Sequence, residues 1–146
     1  IIFQDGLYVL TYHRILLTNF LLFGKIFYGE RMPVVKIFGW QRYWGTISAE
    51  EKIIQAILSI KELELQSSKD ITVHFIPEVF SRRDEISVFI EGLFKKPRRT
   101  KEIRDLLAKK VGEALKEFFE ERKIKVLIEC FVVSFNQKIE GFYTNR

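Results

Sequence analysis

Pro33 follows an internal methionine, Met32, and opens a β-rich run that extends to Phe38. If translation begins at Met32, removal of that methionine leaves Pro33 with a free secondary amine. Such an amine is a general base, and it works best when its pKa lies near the working pH. If the chain continues upstream, the same nitrogen belongs to a peptide bond and has no proton to exchange, and Pro33 then only starts a strand. The predicted chemistry therefore depends on whether Pro33 is the amino terminus.

A second group of candidate residues is the basic segment between a predicted strand and a predicted helix. It carries four cations: Lys95, Lys96, Arg98 and Arg99. A guanidinium can hold a carboxylate by two parallel hydrogen bonds. For any one of these residues, a solvated loop is an equally good explanation. Taken together, they predict a small anion as the binding partner.

Three further residues are candidates for substrate binding. Lys36 lies in the first strand, where it is equally well explained as an exposed strand residue. Glu129 lies in an apolar strand, where an unpaired charge is costly, so we expect it to face a subunit interface or a site. Tyr143 either donates a hydrogen bond to an enolate oxygen or anchors the tail. All three rank below Pro33 and the basic segment.

The composition is that of one globular domain with a mild positive charge. The chain has 146 residues, of which 47% are hydrophobic and 29% charged, and its formal net charge is +5. Such a balance suits anionic small molecules or nucleic acid, and we favour the small anion. Cys130 lies in an apolar run and is expected to be a buried, inert thiol. Two histidines and no Gly-rich phosphate loop give no support for a metal or nucleotide, so no cofactor is predicted.

Residues 1–31 are predicted to be a non-native upstream extension or an N-terminal arm, and residues 33–146 a single domain. The longest uncharged stretch of the first part after Arg14 runs from Ile15 to Gly24. This is too short to span a bilayer, which needs about 20 residues. The segment also lacks the pattern of a signal peptide. We therefore predict a cytoplasmic location and no membrane partner.

From Pro33 onward, the order of elements is strand, helix, strand, repeated once. The predicted strands are 33–38, 71–76, 86–90 and 126–135, with a short return strand at 139–144. The first helix is expected to open at the capping box Ser48–Glu51 and to end near Glu64. The second begins after the N-cap Thr100 and carries a broad apolar stripe to Phe119. This order predicts an α+β fold in which two βαβ units share one mixed four-stranded sheet with two helices on one face.

The last predicted strand is apolar on both faces. Leu127, Phe131 and Val133 alternate with Ile128, Cys130 and Val132. Since the helices cover one face of such a sheet, the other face has to be buried in another way. Association of subunits through the sheet would do this, and it predicts a homo-oligomer.

Together, Pro33, the pair Glu91-Gly92 after a strand, the basic loop and Arg99-Thr100 at a helix start resemble the tautomerase superfamily, which includes the oxalocrotonate tautomerases and macrophage migration inhibitory factor. The resemblance covers residues 33–146. It implies a cofactor-independent isomerase, a homotrimer, and an N-terminal proline that acts as general base on a 2-oxo acid or similar enolisable anion. By the same resemblance, Arg99 grips the substrate carboxylate, with Arg98 and Lys95 as alternatives. In some members a residue near the position of Glu129, from a neighbouring subunit, completes the site.

Two other functions fit the sequence. The first is a non-catalytic α+β module that binds nucleic acid or an anionic ligand through the loop 95–99, with Phe75, Phe89 and Phe131 as candidate stacking residues. We place it second, because strand phenylalanines more often pack in a core and the cations form no stripe across a sheet. The second is a catalytically silent relative kept for assembly or signalling.

Overall fold

The computed structural model describes residues 33–77 and 84–136. The strands are β1 (Val34–Phe38), β2 (Thr72–Ile76), β3 (Glu85–Phe94) and β4 (Leu127–Phe135), and the helices are α1 (Ile47–Leu58) and α2 (Lys101–Glu121). No helix within these ranges is both long and apolar enough to cross a membrane. The predicted return strand 139–144, Tyr143 and the predicted boundary at residue 31 lie outside the described residues.

The four strands form one mixed sheet in the order β2-β1-β3-β4. β1 is parallel to β2, and β3 is parallel to β4, so each helix connects two neighbouring parallel strands. The two βαβ units meet where β1 and β3 run antiparallel. The predicted fold class is therefore confirmed.

The core lies between the sheet and the two helices, which share one face. Val35 and Ile37 of β1 are fully buried, and so are Ile53 of α1 and Leu115 of α2. Each such side chain contributes about 1.5–3 kcal/mol of transfer free energy. Towards the carboxyl end of β1, an aromatic cluster continues this core. It consists of Trp40, Trp44, Phe75, Phe118 and Phe119. The apolar periods of the sequence therefore bury one face of each helix and of the sheet.

Two helix boundaries differ in accuracy. Thr100 caps α2 as predicted, because its hydroxyl oxygen accepts a hydrogen bond from the amide of Ile103 at 3.4 Å. The predicted capping box at Ser48–Glu51 is wrong, since α1 starts one residue before Ser48 and its N-cap is Thr46. A capping box forms instead at Ser67 and Asp70, in a short 3₁₀ turn. Helix α1 also ends at Leu58 rather than near Glu64, because the chain turns there into a second 3₁₀ segment.

Strand β3 extends further than predicted, and a β-bulge explains how. Its pairing to β4 shifts between Ile90 and Leu93, where β3 carries one extra residue. Gly92 lies there with φ 79°, a conformation that glycine adopts without strain. The extra residue returns Leu93 to the helix side, where it is 1% exposed. Residues 91–94, predicted as the start of the basic loop, are therefore part of the strand.

Two glycines give opposite predictions for the same substitution. Gly39 has φ +85°, and a Cβ there would lie 2.6 Å from the carbonyl oxygen of Glu85, so Gly39→Ala should destabilise the fold by about 2 kcal/mol or more. Gly112 is inside α2, and a Cβ there would meet no atom within 4 Å. Gly112→Ala should therefore stabilise by about 0.5–1 kcal/mol. Urea unfolding of both variants checks this pair, and a destabilised Gly112→Ala would contradict it.

The sheet surface that faces away from the helices is termed the open face. It is formed by alternate residues of the strands, including Phe38, Phe89 and Phe131. Phe38 meets Phe89 edge-on at 5.8 Å between ring centroids, and Phe89 stacks on Phe131 at 5.1 Å. Phe131 and Val133 remain 45% and 49% exposed. A surface of this kind is typical of an association site.

Candidate active site at the Pro33 edge

The sheet register brings the two main candidate regions to one edge. Because β1 and β3 are antiparallel, the amino end of β1 lies beside the carboxyl end of β3, with Val34 opposite Glu91. Pro33 precedes Val34 and is buried, and its carbonyl oxygen accepts a hydrogen bond from the amide of Thr72 at 3.2 Å. The basic loop, residues 95–99, starts directly after Phe94. We call this part of the molecule the Pro33 edge.

Arg99 is the buried member of the basic loop, with 3% exposure. Its Nη1 donates to the carbonyl oxygen of Phe94 at 3.1 Å, and its Nη2 donates to that of Leu63 at 2.9 Å. Burial lowers the pKa of Arg99, and the negative charge of Glu64 opposes that shift. The guanidinium therefore joins the basic loop to the connection between α1 and β2. The predicted contact between Arg99 and a substrate stays a prediction.

Two other cations of the loop lie around Glu64. Arg98 Nη1 donates to Glu64 Oε1 at 2.9 Å, and Lys96 Nζ lies 3.9 Å from Glu64 Oε2. The pKa of Lys96 is lowered, first by burial and second by the charge of Arg99. Sequence reasoning missed Glu64, which is one of two glutamates in the run Lys61-Glu62-Leu63-Glu64-Leu65. Nothing in that run distinguishes Glu64 from Glu62, because its neighbours in the basic loop are brought to it only by the fold.

Lys95 differs from the other three cations of the loop. Its side chain is exposed, and it makes no ion pair with a residue in 33–77 or 84–136. Its backbone amide donates to the carbonyl oxygen of Phe135 at 2.8 Å, which ties the start of the loop to the end of β4. Lys95 is thus held at its backbone while its ammonium group reaches solvent at the Pro33 edge.

Lys36 and Glu91 form a close pair on the open face next to this edge. Lys36 Nζ donates to Glu91 Oε2 at 2.6 Å, and the two side chains are 37% and 40% exposed. The Glu91 carboxylate thereby neutralises the positive charge of Lys36, which was predicted to bind substrate. Lys36 reaches an anion only if that anion competes with Glu91.

Glu129 and Cys130 lie on opposite faces of β4. Glu129 is exposed on the open face, opposite Ser87 of β3, and has no ion pair within the described ranges. Its predicted role at an interface or a site stays a prediction. Cys130 packs against the core, and burial raises the pKa of its thiol to about 12. The thiol is therefore protonated at neutral pH and a poor nucleophile, in line with the inert role predicted for it.

A cleft is present elsewhere, between α2 and the amino end of β4. Gly112, Phe119, Ile124 and Ile128 contribute to its apolar part, and Lys109 and Lys125 are among its charged residues. Because the amino end of β4 lies beside the amino end of β3, this cleft is at the opposite end of the sheet from Pro33. We give the Pro33 edge more weight, since a candidate base and candidate anion ligands meet there. Within the described ranges, no group of three or more His, Cys, Asp or Glu side chains is placed to hold a metal ion.

No protein-family model and no curated protein matches the sequence. Solved structures do match the fold. A 5-carboxymethyl-2-hydroxymuconate delta-isomerase matches with a TM-score of 0.59 and 10% identity, covering 81% of this chain and 92% of that chain. A 5-carboxymethyl-2-hydroxymuconate isomerase from Deinococcus radiodurans R1 has a TM-score of 0.53 and 12% identity, with 81% and 93% coverage.

A third match is a probable enzyme from the thermophilic fungus Aspergillus fumigatus, with a TM-score of 0.50, 18% identity, and coverage of 78% and 82%. At such identities the likeness shows the fold alone. The chain has the same fold as the two isomerases, which is the fold that the sequence resemblance led us to expect.

Proposed function

We propose that the protein is a cofactor-independent tautomerase of the cytoplasm that acts on a 2-oxo acid or similar enolisable anion. The observation that carries the proposal is the register of β1 against β3, which brings Pro33 and the basic loop to the same edge. The fold, shared with isomerases, supports it. The proposal requires that the mature chain begins at Pro33.

In the proposed reaction, the neutral Pro33 nitrogen removes a proton from the carbon next to the substrate carbonyl. The electron pair of the broken C–H bond forms a C=C bond, and the π electron pair of the carbonyl moves to its oxygen, which gives an enolate. The proton then returns from the Pro33 ammonium to the oxygen, which gives the enol, and the reverse sequence restores the ketone. Cations near the amine favour its neutral form, and one of them holds the substrate carboxylate.

The cations of the loop differ in how well they are placed to hold the substrate carboxylate. Lys95 is the exposed one without an ion pair among the described residues, whereas Arg99 already serves two backbone carbonyls. We therefore propose that Arg98 binds the substrate carboxylate and that the exposed ammonium group of Lys95 attracts the anion to this edge. Arg99, which is buried, holds the backbone of the loop in place and adds positive charge to the site. Lys36, Glu129 and Tyr143 stay as proposed contributors of lower rank.

The direct test has two parts. Mass spectrometry of the protein isolated from its natural source determines whether the chain begins at Pro33. An assay of phenylpyruvate ketonisation with protein that begins at Pro33 determines whether the amine is active. A natural chain that retains residues upstream of Pro33 would remove the proposed base.

We also propose that the open face is a self-association surface, with a trimer as the form that the resemblance implies. Its exposed apolar side chains, Leu127, Phe131 and Val133, support this proposal. We expect light scattering to give a mass that is a multiple of the single chain, and Phe131→Glu to lower it, because an unpaired charge would be buried at the interface. An unchanged mass for Phe131→Glu, or a monomeric wild type, would contradict the proposal.

The alternative of nucleic-acid binding has less support. The open face carries Lys36 but also three acidic residues, Glu85, Glu91 and Glu129, so its charge opposes a phosphate backbone. Phe75, one of the three candidate stacking residues, packs against Trp40 on the helix side at 4.6 Å between centroids. Of the cations in the basic loop, Arg98 is paired with Glu64 and Arg99 is buried, so neither is freely exposed to a phosphate backbone.

A further inference from the structure

The carboxylate of Glu64 lies among three cations of the basic loop. Its Oε1 accepts a hydrogen bond from Arg98 at 2.9 Å, its Oε2 lies 3.9 Å from Lys96 Nζ, and its charge acts on Arg99. The guanidinium of Arg98 and the ammonium of Lys96 thus approach different oxygens of one carboxylate. One charge-assisted hydrogen bond from a guanidinium and a second cation near the other oxygen could hold the carboxylate of a ligand in the same way.

The backbone holds Glu64 in a defined position. Glu64 has φ 58°, in the left-handed region that residues other than glycine seldom adopt. Its amide donates to the carbonyl oxygen of Lys61 at 3.0 Å, which closes the turn. Arg99 binds the carbonyl oxygen of the preceding residue, Leu63, at 2.9 Å. The side chain is therefore presented to the loop by a turn that the loop itself helps to hold.

We propose that the Glu64 carboxylate occupies a carboxylate-binding site formed by Arg98 and Lys96 above Arg99, and that a small carboxylate ligand binds there by displacing it. The proposal deepens the proposed function, since it gives the position of the substrate carboxylate, and in that sense it rests on it. Glu64 then acts as an internal competitor that lowers the affinity for anions.

The exposure of the pair makes displacement feasible. The side chains of Arg98 and Glu64 are 75% and 38% exposed, and exposed ion pairs contribute little net stability. The Glu64 side chain can rotate outward while its backbone stays in the turn. A ligand carboxylate would then gain the same hydrogen bond from Arg98, and Glu64 would lose little.

A purely structural salt bridge makes a different prediction. In that case, loss of the Glu64 charge loosens the loop and leaves anion affinity unchanged or lower. If Glu64 is a competitor, loss of its charge raises anion affinity, because both the competition and the repulsion of the incoming anion disappear. Anion affinity therefore separates the two roles.

The experiment measures binding to the full chain at low ionic strength, where charge effects are least screened. Phenylacetate is the carboxylate probe, and inorganic phosphate is titrated in parallel, both by ligand-observed nuclear magnetic resonance. The variants are Glu64→Gln, Glu62→Gln and the double variant Glu64→Gln with Arg98→Gln. Glu62 is the matched control, since it is exposed, lies two residues away and makes no ion pair with a described residue.

We expect Glu64→Gln to bind phenylacetate about fivefold more tightly or better, which follows from removal of one competing charge near the site. Glu62→Gln should stay within about twofold of the wild type, and Arg98→Gln should cancel the gain. Equal affinities for Glu64→Gln and Glu62→Gln overturn the proposal, as does a gain that survives Arg98→Gln. A gain for phosphate alone overturns the assignment to a carboxylate.

Two features keep the result interpretable. Should Glu64→Gln fail to fold by circular dichroism, Glu64→Gly removes the same charge with a residue that suits φ 58°. Because binding and not turnover is measured, and Pro33 is internal in the full chain, lack of isomerase activity leaves this proposal standing. Conversely, an active enzyme whose Glu64→Gln variant binds no better refutes the Glu64 proposal alone.

Discussion

Replacing Pro33 with alanine, in protein that begins at residue 33, should lower the rate of phenylpyruvate ketonisation by about 10²-fold or more. General base catalysis contributes typically about 10²- to 10⁴-fold to a rate. Alanine leaves a primary amine at the same place, so we expect a loss toward the lower end of that range. The measurement is kcat/KM from the absorbance of the enol, over a range of pH.

Two controls make the Pro33 result specific. Pro77→Ala changes an exposed proline that follows the carboxyl end of β2, the end away from Pro33, and it should keep the wild-type rate. The 146-residue chain, in which the Pro33 nitrogen is part of a peptide bond, should show no rate above background. Equal rates for Pro33→Ala and its parent would refute the proline mechanism, whatever the oligomeric state.

Replacing Arg99 with alanine should lower the free energy of unfolding by about 3–5 kcal/mol. Arg99 donates from Nη1 to Phe94 and from Nη2 to Leu63 in a position that is 3% exposed. Each hydrogen bond from a charged donor contributes about 1.5–3 kcal/mol, and a buried carbonyl left without its donor adds a desolvation cost. The measurement is urea unfolding at neutral pH.

Arg98 is the matched control for Arg99. It is the preceding residue and also an arginine, but its side chain is 75% exposed and paired with Glu64. Arg98→Ala should therefore cost within about 1 kcal/mol. Arg99→Lys should lie between the two alanine variants, because an ammonium does not reproduce the two directed bonds of the guanidinium. If Arg99→Ala costs no more than Arg98→Ala, the two carbonyl bonds contribute little and Arg99 is available to a ligand.

The Arg99 prediction also bears on the proposed site. A residue that supports the loop and a residue that touches substrate both lower activity when removed. Loss of the support should appear as unfolding of the loop and of the Leu63 turn together, because Arg99 joins them. If Arg99→Lys folds, it keeps a positive charge near the Pro33 edge. A raised KM in this folded variant would then indicate that Arg99 contacts the substrate, and an unchanged KM would indicate that it only supports the loop.

The strands and helices themselves were largely predictable, because their signals are local. Alternation in β2 and the apolar stripe of α2 each come from neighbouring residues, and the N-cap at Thr100 depends only on the amide three residues on. The order of elements then limits the topology, since a parallel strand pair joined by a helix has one preferred hand. Two βαβ units on one sheet, with both helices on one face, follow from this.

The misplaced start of α1 has a local cause of another kind. Ser48 and Glu51 have the right types and spacing, but Thr46 takes the N-cap position, and the capping pattern appears at Ser67 and Asp70 instead. The Thr46 side chain makes no capping hydrogen bond, so the start of α1 does not follow from a capping pattern in the sequence. Trp44 and Ala49, which lie on either side of this start, are both buried in the core. The β-bulge at Gly92 was also not predictable from local sequence, because its effect is to bury Leu93 in the core.

By itself, the sequence determined the elements, their order, the amphipathic face of each helix and the cationic character of the loop, because side-chain period and residue type act over a few neighbours. Only the tertiary structure decided that β1 and β3 run side by side, that Pro33 shares an edge with the loop, and that Arg99 turns inward to two carbonyls. It alone brought Glu64 to Arg98, 34 residues away. Such contacts depend on how separate elements bury their apolar faces against each other, and burial is a property of the whole fold.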